Sequence, residues 1–382
     1  MELEKLRQQI DEIDEKMRDL LARRMQLSAQ VGEYKKKVGL PIFHPEREKE
    51  VLEKNVSKML PEEYRPAYRE ILIKIMETSR RIQGNLLYDQ GASEGRIDLE
   101  GFIKNQQLPS LRTVGYQGIP GSYSSEALEW MVKDKRTERK HYPTFRQATE
   151  ALADGEITDL ILPIENSSTG GVKDVEHLIA TGQLYISGEW VLSINHALLG
   201  IPTADIQQIR KVYSHSQALS QCSRFIEEHG FLAEPYYNTA MSAKMVQETN
   251  DPRIGAIASL QAGQLYGLKT LAESIGDNGT NYTRFVRVTK SPEIDARCNK
   301  ISIRLSVAHE IGSLYRIINI ITESSLNMTR IESRPIYGKP WEYYFFIDFE
   351  GNIMEERVRK AMDRMMDNST HFDFLGNYPK GA

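Results

Sequence analysis

The sequence has little of several features that define common protein classes. Only two of its 382 residues are cysteines, Cys222 and Cys298, too few for a disulfide framework. The N-terminal stretch MELEKLRQQ lacks the basic and apolar regions of a signal peptide, and no apolar run approaches the length of a membrane span. A net charge of −4 without a long basic run argues against nucleic acid or an anionic membrane as a partner. We therefore expect a soluble cytoplasmic protein.

Changes of pattern along the chain predict three domains. Residues 1–90 have helical periodicity, whereas 91–111 are polar, hold several glycines and predict a linker. From 112 to 292 short β-rich runs alternate with helical stretches, and 298–378 read as strand, helix, strand, strand, helix, strand. The expected order is an all-α bundle, an α/β domain and an α+β domain.

Polar residues interrupt the apolar stripes of the first domain. Apolar residues recur at heptad-like spacing over residues 3–34, which predicts one long amphipathic helix that buries a face. Arg24 occupies a place in this stripe, and Lys35 follows on nearly the same face. Ser79 and Gln83 lie on a second stripe, one turn apart. A core arginine paired with a structural carboxylate would explain Arg24 alone, but the whole set predicts a polar ligand enclosed among helices.

The charges of this set indicate the ligand. A helix start in FHPEREKEVL adds Arg47 and Glu48 to the mainly cationic side chains. No cysteine or close histidine pair accompanies them, so we expect no metal and no cofactor, and a small dianion with a hydroxyl suits them. Arg7 precedes Arg24 by seventeen residues, roughly 25 Å along one helix, and could serve such a site only in a partner chain. This spacing predicts a dimer.

Residues 1–90 resemble the all-helical chorismate mutase family, an intertwined dimer of three-helix chains. The resemblance implies the rearrangement of chorismate to prephenate, which needs positioning and electrostatics but no proton transfer. It implies that two arginines clamp the carboxylates, that Lys35 and Gln83 donate to the ether oxygen, and that Glu48, with Arg47 nearby, holds the ring hydroxyl. His44 stands where family members often have Asp. The matching positions are Arg7 (from the partner chain), Arg24, Lys35, Arg47, Glu48, Ser79 and Gln83.

In residues 113–290 a strand repeatedly ends in a polar turn just as a helix begins. Four such turns carry GIPGSYS, ENSSTGG, YSHSQA and NTAMSA, and the last strand carries NYTRF. Free N–H groups at helix starts favour anions, and the ligand crevice of an open α/β sheet lies at the strand ends. Helix capping alone would explain any one turn. No GxGxxG follows a strand, so a dinucleotide site is not expected.

These five segments resemble the prephenate dehydratase family over all of 113–290. The resemblance implies two α/β lobes like those of periplasmic binding proteins, with an active site in the cleft where prephenate loses CO₂ and its ring hydroxyl. It implies that Thr283 assists departure of the hydroxyl and that Arg284 holds a carboxylate. Ser216 replaces a proline that is usual in the family, which we expect to loosen a turn. The other residues expected to line the cleft are Asn166, Ser167, Gln217 and Thr239.

The strand and helix order of 298–378 is the ferredoxin-like plan, and the segment resembles the ACT regulatory domain, which binds amino acids at dimer interfaces. GSLY at a helix start and ESRP after a strand carry the resemblance to the form attached to prephenate dehydratases. A ferredoxin-like dimerisation module without a ligand is the alternative. The resemblance implies a phenylalanine pocket and its transmission loop, formed by Gly312, Ser313, Leu314, Glu332, Ser333, Arg334 and Pro335.

The three resemblances together imply a bifunctional enzyme of phenylalanine biosynthesis. It would convert chorismate to prephenate and prephenate to phenylpyruvate, with L-phenylalanine as a feedback inhibitor, and would assemble as a homodimer or a dimer of dimers. One alternative is a mutase fused to prephenate dehydrogenase, which would need a nicotinamide site. The other is a non-catalytic amino-acid sensor, which has no use for the polar residues of the bundle or for NYTRF.

Overall fold

The computed structural model defines residues 2–38, 40, 44–88, 111–134, 136–336 and 338–381. The predicted linker, 91–111, lies outside the described residues except for Leu111. The chain divides into two compact units, Met1–Ile97 and Asp98–Ala382. No described helix combines the length and the apolar character that crossing a membrane requires.

The described part of the first unit contains three α-helices and a 3-10 turn at Glu62–Tyr64. The helix that follows the first loop begins as predicted, with Pro45 in its first turn. His44 Nδ1 accepts a hydrogen bond from the backbone N–H of Arg47 at 3.3 Å, so the histidine caps this helix as an aspartate would. The helices are α1 (Glu2–Val38), α2 (Pro45–Val56) and α3 (Arg65–Tyr88), with α1 and α2 both packed on α3.

The apolar stripe of α1 is not buried within the chain. Ile13 is 60 % exposed and Leu20 is 68 % exposed, and the other apolar residues of the stripe are similar. By contrast, Leu72 and Met76 of α3 are buried against α1. The sequence predicts a buried face, and in the single chain that face is open to solvent. An apolar surface of this length marks an interaction site.

The second unit begins with two sheets, and the chain passes from the first to the second after β5 and returns with β11. The first sheet has the order β2-β1-β3-β11-β5, with β4 beside β3. Its strands are β1 (Thr113–Gln117), β2 (Glu138–Tyr142), β3 (Asp159–Asn166), β4 (Gly170–Gly171), β5 (Tyr185–Ser193) and β11 (Tyr282–Thr289). The second sheet, in the order β10-β6-β9-β7-β8, contains β6 (Ala197–Gly200), β7 (Lys211–Ser214), β8 (Leu232–Pro235), β9 (Ile254–Ala258) and β10 (Lys269–Ala272). Each sheet has its own apolar core.

Helices follow the strands at the predicted polar turns. In three of the four predicted turns the side chains of Ser122, His215 and Asn238 each accept a backbone N–H at a helix start, and Ser259 does so at a further turn. Capping therefore operates at these turns, and a ligand-binding role requires further contacts. The described helix after ENSSTGG has no side-chain cap. The helices are α4 (Tyr123–Met131), α5 (Phe145–Ala153), α6 (Lys173–Thr181), α7 (Ser216–Gln221), α8 (Ser223–Glu228), α9 (Thr239–Thr249) and α10 (Leu260–Leu265), with a 3-10 turn at Ile206–Gln208.

The C-terminal residues form an antiparallel sheet in the order β13-β14-β12-β15, with the predicted βαββαβ succession. The ESRP residues lie within β13 rather than after it, because Glu332 and Arg334 pair with Phe346 and Tyr344 of the next strand. The sequence-based placement of ESRP was wrong in this respect. The elements are β12 (Lys300–Ser306), α11 (Ser313–Glu323), β13 (Met328–Pro335), β14 (Tyr343–Glu350), α12 (Glu356–Asp367) and β15 (His371–Tyr378).

Candidate active sites

In the helical unit the structure brings Arg24 of α1 to Ser79 of α3. Arg24 donates to Ser79 Oγ and, at 3.5 Å, to the carbonyl oxygen of Ile75. Ser79 Oγ in turn donates to the same carbonyl at 2.9 Å. Both partners are neutral, and within the described residues no carboxylate pairs with Arg24. The guanidinium is thus oriented by the protein while its charge remains available to an anion.

Gln83 lies one turn after Ser79 on α3 and is 9 % exposed. Gly32 of α1 allows this position, since a Cβ at Gly32 would come within 3.0 Å of Gln83 Cα. The buried Gln83 Oε1 meets no hydrogen-bond partner in the part of the chain that the structure describes. A buried amide oxygen in that state costs about 1–3 kcal/mol unless a ligand or water satisfies it. The Gln83 amide is therefore a candidate for contact with a ligand or water.

Glu48 and Arg47 of α2 have separate partners. Glu48 forms an ion pair with Arg80 of α3, a residue that the sequence analysis did not select. Arg47 instead pairs with Glu50 at 2.6 Å, and its side chain is 65 % exposed. The resemblance implies that Glu48, with Arg47 nearby, holds the ring hydroxyl; in this structure the two side chains pair with different partners, Arg80 and Glu50.

Lys35 and Arg7 lie on the same helix as Arg24. Lys35 is half-buried and Arg7 is exposed. Since α1 is one continuous helix, Arg7 and Arg24 are roughly 25 Å apart along its axis. A single chain does not bring these two arginines together.

In the second unit Thr283 of β11 lies opposite Asn166 of β3. Thr283 Oγ1 accepts a hydrogen bond from Asn166 Nδ2 at 2.9 Å, and Nδ2 also donates to Asn281 Oδ1 at 2.8 Å and to the carbonyl of Tyr282 at 3.1 Å. Asn166 Oδ1 accepts from the backbone N–H of Ser168 at 3.0 Å. An amide nitrogen can only donate, so the Thr283 oxygen is the acceptor and its own proton is not used by Asn166.

Ser167 and Gln217 lie beside this pair. Ser167 Oγ accepts the backbone N–H of Tyr282 at 2.9 Å, which ties the end of β3 to the start of β11. Gln217 Nε2 of α7 donates to Thr169 Oγ1 at 3.4 Å and so links the second sheet to the turn after β3. Thr239 is the first residue of α9 and is half-buried. In the described residues no hydrogen bond joins it to the others.

A chain of buried polar side chains, missed by the sequence analysis, extends beyond Asn281. Asn281 Nδ2 donates to Gln221 Oε1 at 3.1 Å, Gln221 Oε1 lies 3.1 Å from His196 Nε2, and His196 Nδ1 lies 2.9 Å from the Tyr123 hydroxyl. Burial lowers the pKa of His196 and raises the pKa of Tyr123 well above its usual range, so both are neutral near pH 7. One signal was readable: Gln221 lies one turn after Gln217 on the same face of α7.

Arg284 lies on the opposite face of β11 from Thr283, as strand alternation requires. Its guanidinium contacts Asp348 at 2.8 Å, Glu189 at 3.0 Å and Glu165 at 3.1 Å. Burial acts to lower the Arg284 pKa, but the neighbouring carboxylates outweigh it and raise the pKa. The expectation that Arg284 holds a substrate carboxylate beside Thr283 does not fit this geometry, because three carboxylates of the chain already bind the guanidinium.

Strand β13 contacts the α/β body through alternate side chains. Glu332 accepts the backbone N–H of Gly171 at 3.3 Å, and a Cβ at Gly171 would come within 2.4 Å of the Glu332 carboxylate. Arg334 pairs with Glu176 of α6 at 3.0 Å, and Arg330 pairs with the same carboxylate. A side chain at Gly171 would therefore require the ends of the Glu332, Arg330 and Arg334 side chains to shift.

The GSLY residues lie where α11 begins. Gly312 caps the helix with φ +81°, a left-handed conformation that favours glycine. Ser313 is buried and accepts from Arg316 Nη2 at 2.8 Å, while Leu314 is half-buried. Ser333 and Pro335 lie on the exposed side of β13.

A surface cavity of about 560 Å³ lies at the start of β3, the opposite end from Asn166. Arg112 and Arg287 line it, and both pair with Asp159 and Glu293. The cavity holds none of the residues selected from the sequence. Among the described residues, no three His, Cys, Asp or Glu side chains cluster in a way that could hold a metal.

Family models and known proteins match the same two regions. A model described as chorismate mutase type II matches residues 6–84, and one described as prephenate dehydratase matches 114–293. The bifunctional chorismate mutase/prephenate dehydratase of Aquifex aeolicus (strain VF5) is 31 % identical over an alignment of 391 residues that covers 99 % of this chain and 98 % of that protein.

Two solved structures resemble the second unit. The prephenate dehydratase of Arthrobacter aurescens, in complex with L-Phe, has a TM-score of 0.64 and 30 % identity, covering 70 % of this chain and 89 % of that one. A protein described as GqqA, a novel type of quorum quenching acylase, has the same TM-score and identity, covering 71 % of this chain and 98 % of that one. The nearly full-length match to the Aquifex protein shows that this chain belongs to the bifunctional chorismate mutase/prephenate dehydratase family.

Proposed function

We propose that the two activities of the family reside in separate regions of the chain, with a third region for control. Residues 1–90 would rearrange chorismate to prephenate, 112–292 would convert prephenate to phenylpyruvate, and 298–378 would form an ACT domain that binds L-phenylalanine. The observation that carries the proposal is the direction of the Asn166–Thr283 hydrogen bond. It leaves a buried hydroxyl with its proton available, as the second reaction needs.

In the dehydratase reaction the bond between the ring and its carboxylate breaks and CO₂ leaves. The electron pair moves into the ring, the C–O bond to the ring hydroxyl breaks, and the departing hydroxide takes up one proton, supplied in the end by solvent, to leave as water. Thr283 donates a hydrogen bond to that departing oxygen, with its own oxygen held by Asn166. A threonine hydroxyl is a weak acid in water, so this role depends on a preorganised, poorly hydrated position, and Thr283 is 8 % exposed. Ser167, Gln217 and Thr239 line the substrate site.

In the mutase reaction the side chains hold chorismate in a reactive conformation and stabilise the ether oxygen as its bond breaks. Arg24, oriented by Ser79, binds one carboxylate. Gln83 and Lys35 donate to the ether oxygen. Glu48 accepts from the ring hydroxyl, with Arg47 nearby, and its carboxylate is held by the ion pair with Arg80.

The mutase site requires a second copy of the chain. The apolar stripe of α1 is exposed along its length, with Leu3 at 62 % and Val31 at 47 %. Pairing with another α1 would bury this surface, and it would bring Arg7 of the partner to the second carboxylate of chorismate. The assembly is a homodimer or a dimer of dimers.

Feedback control passes through the contacts of β13. The antiparallel order β13-β14-β12-β15 is the ferredoxin-like plan of ACT domains. Glu165 contacts both Arg284 and Arg330, so the C-terminal sheet holds residues directly adjacent to Asn166 and Thr283. L-phenylalanine bound at the GSLY residues would inhibit the dehydratase if it binds more tightly to an arrangement in which the β13 contacts displace Asn166 and Thr283.

The test is to supply chorismate to the full-length chain and follow prephenate and phenylpyruvate. We expect phenylpyruvate from the unaltered chain and accumulation of prephenate from Thr283→Ala. Formation of prephenate alone by the unaltered chain would point to a mutase with a different second activity. No turnover of chorismate at all would point to the alternative of a non-catalytic amino-acid sensor. Unchanged phenylpyruvate output from Thr283→Ala would exclude Thr283 as the group assisting departure.

A further inference from the structure

His196 occupies the connection through which the chain passes from the first sheet to the second. It lies between β5 and β6 and is 4 % exposed. Its ring contacts Tyr123, which opens α4 beside the first sheet, and Gln221, which ends α7 beside the second sheet. A buried histidine thus joins helices from both sheets.

The direction of every hydrogen bond between His196 and Thr283 follows from one backbone N–H. Ser168 N–H can only donate, so the Asn166 atom that faces it is the oxygen and the other amide atom is the nitrogen. Asn166 Nδ2 must donate, so the Asn281 atom that faces it is Oδ1. Asn281 Nδ2 then donates to Gln221 Oε1. The amide orientations are therefore assigned one after another; what keeps them in place is a separate matter.

The same reasoning assigns the tautomer of His196. Its Nε2 faces Gln221 Oε1, which can only accept, so Nε2 carries the proton. The ring is neutral because it is buried, and Nδ1 is then an acceptor. The Tyr123 hydroxyl lies 2.9 Å from Nδ1 and 2.9 Å from the carbonyl oxygen of Asn195, and it shares its single proton between them.

Gln221 is the link that could otherwise rotate. Gln221 Oε1 accepts hydrogen bonds from Asn281 Nδ2 and His196 Nε2, whereas the buried Gln221 Nε2 has no partner among the described residues. Without the His196 donor, the Asn281 amide alone would hold Gln221 Oε1 among the described contacts, so the Gln221 side chain could rotate. Rotation would remove the acceptor of Asn281 Nδ2, and Asn166 would lose a fixed partner.

We propose that His196 is a positioning residue of the dehydratase reaction: its Nε2–H, braced by Tyr123, fixes Gln221 and Asn281 so that Asn166 holds Thr283 with its proton towards the substrate. His196 itself does not contact the reacting atoms. The inference rests on the proposed role of Thr283, and it adds residues that hold that hydroxyl in one direction.

The first test compares three substitutions of His196 in the full-length chain, with prephenate as the substrate. His196→Leu removes the donor, and we expect kcat to fall roughly 10- to 100-fold with KM changed less than about threefold. His196→Gln can place an amide N–H near the original Nε2, and we expect it to recover most of the lost kcat. His196→Asn reaches only the Nδ1 position and should resemble His196→Leu. The matched control is His177→Leu, an exposed histidine on α6.

The outcomes separate this inference from the proposed function. If Thr283→Ala abolishes turnover while His196→Leu keeps the kcat of the unaltered chain, the positioning role is overturned and the proposed site stands. If Thr283→Ala is active, the proposed site itself fails. Equal loss in the Leu, Asn and Gln variants, with melting temperatures lowered together, would show a packing role only and would also overturn the inference.

A second test is independent of turnover. In the full-length chain with nitrogen-15 in its histidines, the ring nitrogens of His196 should report a neutral ring protonated at Nε2, assigned by comparison with His196→Gln. A neutral ring protonated at Nδ1, or a charged ring at pH 7, would contradict the hydrogen-bond directions and overturn the proposal. Tyr123→Phe should weaken the preference for the Nε2 tautomer and lower kcat less than His196→Leu.

Discussion

Replacing Arg284 by methionine would distinguish a structural arginine from one that binds substrate. Its guanidinium contacts Glu189 and Asp348, whose side chains are only 2 % and 4 % exposed. Removing the cation leaves both carboxylates buried with less compensation, and breaking a buried ion pair costs about 3–5 kcal/mol. Lys300 also contacts Glu189, at 2.8 Å, and offsets part of this cost. We therefore expect the free energy of unfolding to fall by about 3 kcal/mol, which corresponds to a fall of roughly 6 °C in the melting temperature of the second unit.

Calorimetric melting of the full-length chain measures this loss, and Arg297→Met is its matched control. Among the described residues Arg297 pairs with Asp295 alone and its side chain is 83 % exposed, so we expect a change below about 0.5 kcal/mol. Below its melting temperature Arg284→Met should keep a KM for prephenate close to that of the unaltered chain. An unchanged melting temperature with KM raised tenfold would refute this reasoning and make Arg284 a substrate ligand.

The other sites give three further expected outcomes. Lys35→Ala should abolish mutase turnover, because the ether oxygen loses its cation, and leave turnover of added prephenate unchanged; equal loss of both activities would refute separate sites. Ile13→Asp puts a charge in the exposed stripe of α1, and light scattering should detect loss of dimer together with loss of mutase activity, whereas a dimeric variant would argue against that interface. Arg334→Gln removes the pair with Glu176 and should raise the L-phenylalanine concentration for half inhibition by about tenfold at similar uninhibited kcat; unaltered inhibition would exclude this route.

In the helical unit the sequence alone identified the residues that interrupt an apolar stripe. Arg24 and Ser79 interrupt apolar stripes at helical spacing, and the structure brings them into contact. The role of Gly32 could not be predicted, because a glycine inside a helix does not identify the residue that packs against it. Arg80 was missed for a related reason: its role depends on how α2 lies against α3, which local periodicity does not determine.

Strand β11 shows what could not be predicted from the sequence in the α/β region. Alternation along a strand already implies that Thr283 and Arg284 face opposite sides. The face of β11 that belongs to the candidate site is decided by Asp348, which is distant in sequence and covers the face that carries Arg284. His196 gave no signal because it stands in the largely apolar run INHALLG, where a buried histidine most often only fills the core. Its partners come from α4 and α7, and only the fold brings them together.

The direction of the Asn166 amide supports the proposed role of Thr283, a weak acid, as a hydrogen-bond donor. Rotating the amide by a half turn would set Nδ2 against the Ser168 N–H and Oδ1 against Asn281 Oδ1. Each reversed contact loses a hydrogen bond worth about 0.5–1.5 kcal/mol, so two reversed contacts disfavour the rotated form by about 1–3 kcal/mol. That corresponds to a preference of roughly 5-fold to 150-fold for the observed direction. The Thr283 oxygen is thereby held as an acceptor, and in the proposed reaction its proton would need no reorganisation to reach the departing oxygen.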